Sequence, residues 1–128
     1  MKYAVALLFI SLVIVGCSST PKHVDVPGVM YSVEESTRVD NLITEYIWLQ
    51  EVSDENIVAV GEAIIKKWSK LKDYGLTIYF YDTKADAAAG SEMNHLGGVF
   101  YNSQNDTGRF FAREDYFPNG GIIPINTN

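Results

Sequence analysis

The sequence has a single cysteine, Cys17, and two histidines, His23 and His95. One cysteine rules out an internal disulfide, so a domain built from this chain must be stabilised by its core alone. A zinc site needs three or four His, Cys or carboxylate ligands, and these residues supply too few. His23 lies in a polar stretch between Pro21 and Pro27 and reads as a solvated linker side chain. Only His95 is left for a Ser/His/Asp set, and nothing selects its partners. Positive charge is also scarce, with Lys+Arg 10 against Asp+Glu 16 and a formal net charge of −6. That balance argues against nucleic acid and against electrostatic adhesion to anionic lipid. Phosphate-loop spacing is missing, so Gly97-Gly98 and Gly120-Gly121 read as turn or bulge glycines. Asp82, Asp86 and Glu92 lie close in sequence, but the EF-hand spacing and its glycine are absent. The chain shows no internal repeat and calls for no cofactor.

The leader is the clearest feature. Lys2 and the amino terminus give a short basic region, and Ala4 to Gly16 is small or apolar apart from Ser11. As a helix this block would be about 20 Å long, short of the roughly 30 Å bilayer core but within the range of a secretory leader. Ile14, Val15 and Gly16 precede Cys17. That order resembles the lipobox of bacterial lipoproteins. The resemblance implies diacylglycerol on the Cys17 sulfur, cleavage between Gly16 and Cys17, and acylation of the new amine with a fatty acid such as palmitate. Several acyl chains hold a protein on a membrane where one does not. Ser18 follows Cys17 rather than Asp, and in an enteric-type Gram-negative cell that resembles a signal for the outer membrane. The expected division is therefore 1–16 signal peptide, 17–27 lipidated N-terminus and linker, and 28–128 a single periplasmic domain. A Cys/His nucleophile is excluded in that domain, because Cys17 is the lipid site.

Without residues 1–16, which carry Lys2 as their one charged side chain, the chain has Lys+Arg 9 (10 less Lys2) against Asp+Glu 16. Its length is enough to bury about 65% of its unfolded surface. Val29, Tyr31 and Val33 alternate in a first strand within 28–39. Residues 41–52 (NLITEYIWLQEV) are rich in β-branched and aromatic residues and read as a second strand. One of its faces carries Ile43, Ile47 and Leu49, and the other Thr44, Tyr46, Trp48 and Gln50. Glu45 falls on the apolar face, which counts against this register. Ser53 caps a helix that runs toward Tyr74, with Asp54 and Glu55 at its positive end and Lys66, Lys67, Lys70 and Lys72 at its negative end. Its apolar stripe is Ile57, Gly61, Ile64, Trp68 and Leu71. Gly75 reads as its left-handed stop. Leu76 to Tyr81 alternates as a strand, with Ile78 and Phe80 toward the helix and Tyr79 and Tyr81 away from it. Thr83 and Gly90 bound a short helix. Residues 97–103 and 109–113 form a hairpin, and Pro124 restricts 122–128 to an edge.

These elements predict an α+β domain with one long helix packed on a mostly antiparallel sheet in two layers, in the order β-β-α-β-β-β. The strand, the Ser-Asp-Glu helix start and the aromatic strand ending Tyr-Phe-Tyr-Asp resemble small uncharacterised bacterial lipoproteins, a likeness that brings no activity. Tyr46, Trp48, Tyr79 and Tyr81 fall on the outer sheet face. Either they brace cross-strand pairs or lie beneath 122–128, or they form a partner-binding patch, since Tyr and Trp join apolar area to a polar tip. The expected function is a lipid-anchored envelope protein whose domain binds or blocks an envelope protein partner. The alternative is a small envelope hydrolase, although nothing selects a carboxylate pair among the acids.

Overall fold

A computed structural model describes residues 23–90, 93–112 and 123–125. The leader, Gly16, Cys17, Glu92 and most of 122–128 lie outside the described residues. The elements are β1 (Tyr31–Val39), β2 (Leu42–Leu49), α1 (Asp54–Lys67), β3 (Gly75–Tyr81), α2 (Lys84–Ala89), β4 (Gly97–Asn102), β5 (Thr107–Ala112) and β6 (Ile123–Ile125).

The six strands form one sheet in sequence order, with β2 and β3 parallel and every other neighbouring pair antiparallel. This overturns the expected long helix on a mostly antiparallel two-layer sheet. The sheet is mixed and its two helices are short. The reason is the link between β2 and β3. A helix of 14 residues rises about 21 Å, enough to return the chain to the start of β2, so the following strand must run parallel to it. The second helix gives the sheet a partial layer on its other face. Lys84 Nζ of α2 sits 4.7 Å from the centre of the Trp48 ring.

β2 alternates as its composition predicts: Ile43, Glu45, Ile47 and Leu49 are buried, with Tyr46 and Trp48 half-buried between them. The inner face packs under α1, where Ile57, Val60, Ile64 and Ile65 meet Ile43, Ile47, Ile78, Phe80, Val99 and Phe110 in one apolar core. Ser53 accepts from the Asn56 N–H and starts α1. The helix stops at Lys67, seven residues short of Tyr74, and the chain tightens into i→i−3 bonds around its cap, Trp68. Its N–H is shared between the carbonyls of Ile64 and Ile65, and its indole donates to the Glu45 carboxylate at 2.6 Å. Gly75 is therefore the first residue of β3 rather than a helix stop, and Asp73 (φ 54°) makes the reversal. Asp tolerates that left-handed conformation better than most residues.

Glu45 is fully buried. Lys67 Nζ lies 2.9 Å from its Oε1 and donates to Oε2 at 3.2 Å. The Lys67 side chain is only 7% exposed, so this is an ion pair inside the protein and not a solvated dipole partner at the helix end. Gly97 and Gly98 are buried within β4, in neither a turn nor a bulge. A Cβ on Gly98 would collide with the Ile78 carbonyl and the Phe111 ring, so the missing side chain is what lets that ring lie over β4.

Removing one partner of a buried ion pair strands the other in apolar surroundings, at a cost of about 3–5 kcal/mol. Lys67→Met should destabilise the domain by about that amount, whereas Glu45→Leu combined with Lys67→Met should recover most of the loss. Urea unfolding of the three proteins checks this; a double variant no more stable than the single one would count against it.

Candidate functional site

The outer face collects every second residue of the central strands. These are Thr44, Tyr46 and Trp48 on β2, Thr77, Tyr79 and Tyr81 on β3, Gly98 and Phe100 on β4, and Thr107, Arg109 and Phe111 on β5, in matching register. The four residues singled out from the sequence lie on this face. Tyr46 is near-parallel to Tyr79 at 5.8 Å and tilted to Tyr81 at 6.5 Å. The Trp48 ring instead faces Lys84, and its indole donates to the Asp82 carbonyl at 3.2 Å.

That end of the face is covered. Thr83 accepts from the Asp86 N–H to begin α2, and Gly90 ends it in a left-handed conformation at φ 63°. A Cβ on Gly90 would stand 3.5 Å from Tyr46, so α2 closes against that ring. Tyr81 and Ala87 are fully buried here. Tyr81 therefore cannot meet a partner, and Tyr46, Trp48 and Tyr79 present only part of their rings.

The row of rings continues beyond those residues. His95 lies 5.1 Å from Tyr79 and 5.7 Å from Phe111, and Phe111 stacks on Phe100 at 4.6 Å. Phe100 is 45% exposed, and Leu42 and Val39, at the same end of the sheet, are 68% and 69% exposed. Beside them is an open groove of about 500 Å³, lined by Leu42, Thr44, Thr77, Phe100, Asn105 and Arg109 among others. Sequence reasoning missed Phe100, Phe111, Leu42 and Arg109, and weighed His95 only for a Ser/His/Asp set. The alternation of β4 and β5 was the available signal, because Gly98 and Phe100 pair with Phe111 and Arg109 in phase.

Besides a cleft of about 410 Å³ beside His23, Tyr31 and Gln50, two further clefts are found among the described residues. One, of about 460 Å³, opens beside Glu45, Lys67 and Trp68. Both Glu45 oxygens are already engaged, by Trp68 and Lys67, which leaves that carboxylate committed to structure. The other, of about 310 Å³, lies against Tyr74 and Tyr101 at the end of α1. Among the described residues no three His, Cys, Asp or Glu side chains come together as a metal set, and no helix is long and apolar enough to cross a membrane. Comparisons with protein-family models, curated proteins and solved structures find no match to this chain.

Tyr101 donates to the Asp106 carboxylate at 2.7 Å, and burial first, then that bond and its charge, push the phenol up to about 12. A pKa raised on folding favours the folded state below the ordinary value of 10.0, and this contribution is lost as pH rises toward the folded value. Asp106→Asn should lower the Tyr101 step part of the way to 10, with burial holding the remainder. The absorbance difference at about 295 nm between each protein and its Tyr101→Phe variant reads the step. An unchanged step in Asp106→Asn would show that the bond has no influence.

Proposed function

We propose that this chain is an envelope lipoprotein, anchored through Cys17 and most simply in an outer membrane facing the periplasm, whose domain binds an envelope protein through the outer sheet face. One observation carries the binding part: Leu42 and Phe100 stand exposed in the lining of a groove, with Val39 paired beside Leu42, at the open end of a continuous row of rings. A single sheet layer that shows large apolar side chains beside a polar rim is the composition of a contact surface. Tyr46 and Tyr79 back this surface from the covered half, while Trp48 lies under Lys84 of α2 and Tyr81 is buried against Tyr46. The acidic balance of the chain leaves attachment to the acyl chains rather than to charge. Anchoring rests on the lipobox order of Ile14, Val15, Gly16 and Cys17.

In-cell formaldehyde crosslinking of three proteins tests both parts. The wild type should pellet with membranes and give a discrete higher-mass adduct. Cys17→Ser should remain as uncleaved precursor without acylation. Leu42→Ser with Phe100→Ser should stay folded in the membrane fraction, with a melting temperature lowered only by loss of the Phe100 stack on Phe111, yet lose the adduct. Retention of the adduct in that double variant would remove the outer face from the account. An unacylated mature N-terminus in the wild type would remove the anchor.

A further inference from the structure

The strand directions give this domain two distinct ends. The described chain enters at one of them, where the His23 ring lies 4.7 Å from Tyr31 and the Tyr31 hydroxyl donates to the Val24 carbonyl. Tyr31 pairs with Leu49, and at the other end of the same two strands Val39 pairs with Leu42. With about 3.3 Å per residue, the groove end lies roughly 25 Å from the point of entry. Three turns meet at that far end and are bonded to one another. Gly75 N–H donates to the Asn41 carbonyl at 2.9 Å, Tyr74 N–H to Ser103 Oγ at 2.7 Å, and Ser103 N–H to the Tyr74 carbonyl at 3.0 Å. The groove therefore sits on a braced frame, which lowers the ordering cost of binding.

Charge is divided between the same ends. Asp25, Glu51, Glu55 and Asp82 are exposed near the point of entry, with Lys84 among them, whereas Arg38, Lys66, Lys70, Lys72 and Arg109 are exposed toward the far end. Asp40, Asp73 and Asp106 also occupy the far turns, and the Asp106 carboxylate is engaged by Tyr101. The groove is lined by Arg109 and by no carboxylate, in a chain whose net charge is −6. Hydroxyls and amides from Thr44, Thr77 and Asn105 surround it.

The geometry points to an acidic, partly apolar segment of another envelope protein as the occupant of this groove. Its apolar side chains rest on Leu42 and Phe100, and a carboxylate meets the planar guanidinium of Arg109, a pairing whose forked geometry favours carboxylate over other acceptors. Concavity favours a chain segment over a flat lipid surface. Because the groove end lies away from the point where the chain enters, the domain holds the segment on the side remote from its own tether. This inference rests on the proposed binding by the outer face and adds the chemistry of the partner.

The test uses the full-length protein in the cells that make it, with photoreactive p-benzoylphenylalanine in place of Phe100. Irradiation should give an adduct with one envelope protein, and sequencing of the joined peptide should place the link in a segment with more Asp and Glu than Lys and Arg. Arg109→Glu should lower the adduct yield at least fivefold with an unchanged melting temperature, and Arg109→Lys should recover part of it. A link to a basic or uncharged segment, or a yield indifferent to Arg109→Glu, overturns the inference while leaving partner binding in place. Adducts with phospholipid or with a second copy of this chain overturn it as well. No protein adduct at all from Phe100 overturns both this inference and the binding surface beneath it.

Discussion

A buried carboxylate sits at the edge of the apolar core, beside an open cleft, and the rest of the structure is arranged around it. Glu45 faces inward from β2 and is met by Lys67 and Trp68 from the end of α1. A buried ion pair adds little net stability against an apolar replacement, and its best-attested use is to specify one arrangement over its neighbours. Here the arrangement is the phase of β2. Side chains alternate with a period of two, so an inward Glu45 forces Thr44, Tyr46 and Trp48 outward. The same contact lies at the end of α1, where the cap residue Trp68 meets the carboxylate. The chain then turns through Asp73 into a strand parallel to β2.

This phase determines what the outer face can do. Half of it is closed by α2, with Lys84 over Trp48 and Gly90 against Tyr46. The other half keeps Leu42, Phe100 and Arg109 beside an open groove. The covered rings fix the position of the exposed ones. Tyr79 packs on His95 and Phe111, and Phe111 stacks on Phe100, over a glycine that has no room for a Cβ. A surface braced in this way loses little freedom when a partner arrives.

Much of the local structure is legible in the sequence. Ser53, Thr83 and Gly90 act as the caps their positions predict, and the alternation of Leu76, Ile78 and Phe80 is buried as read. What fails is whatever depends on a distant partner. Glu45 counts against its own register until Lys67 and Trp68, more than 20 residues on, are seen to meet it. Helical periodicity continues through Leu71, but the helix ends at Lys67 and the chain passes into i→i−3 turns around Trp68. The helical link between β2 and β3 joins strands that prove to be neighbours and therefore parallel, and the expectation of a mostly antiparallel sheet did not mark that pair. For Tyr46, Trp48, Tyr79 and Tyr81 the sequence supplies ring chemistry and direction. Direction places all four on the outer face, but it says nothing of α2, which buries Tyr81 and leaves Phe100 and Leu42 as the accessible side chains.

The two tryptophans offer the most direct measurement of the inward Glu45. The Trp68 indole donates to a buried carboxylate, and the Trp48 indole donates to the Asp82 carbonyl in an exposed setting. Hydrogen exchange of the two indole N–H groups, followed by ¹H–¹⁵N NMR with each signal assigned by a Trp→Phe variant, should show Trp68 protected to the level of the slowest core amides. Trp48 should exchange far faster. If Trp68 exchanges as quickly as Trp48, Glu45 is not held inside, and the phase of β2 and the outer face that follows from it are contradicted.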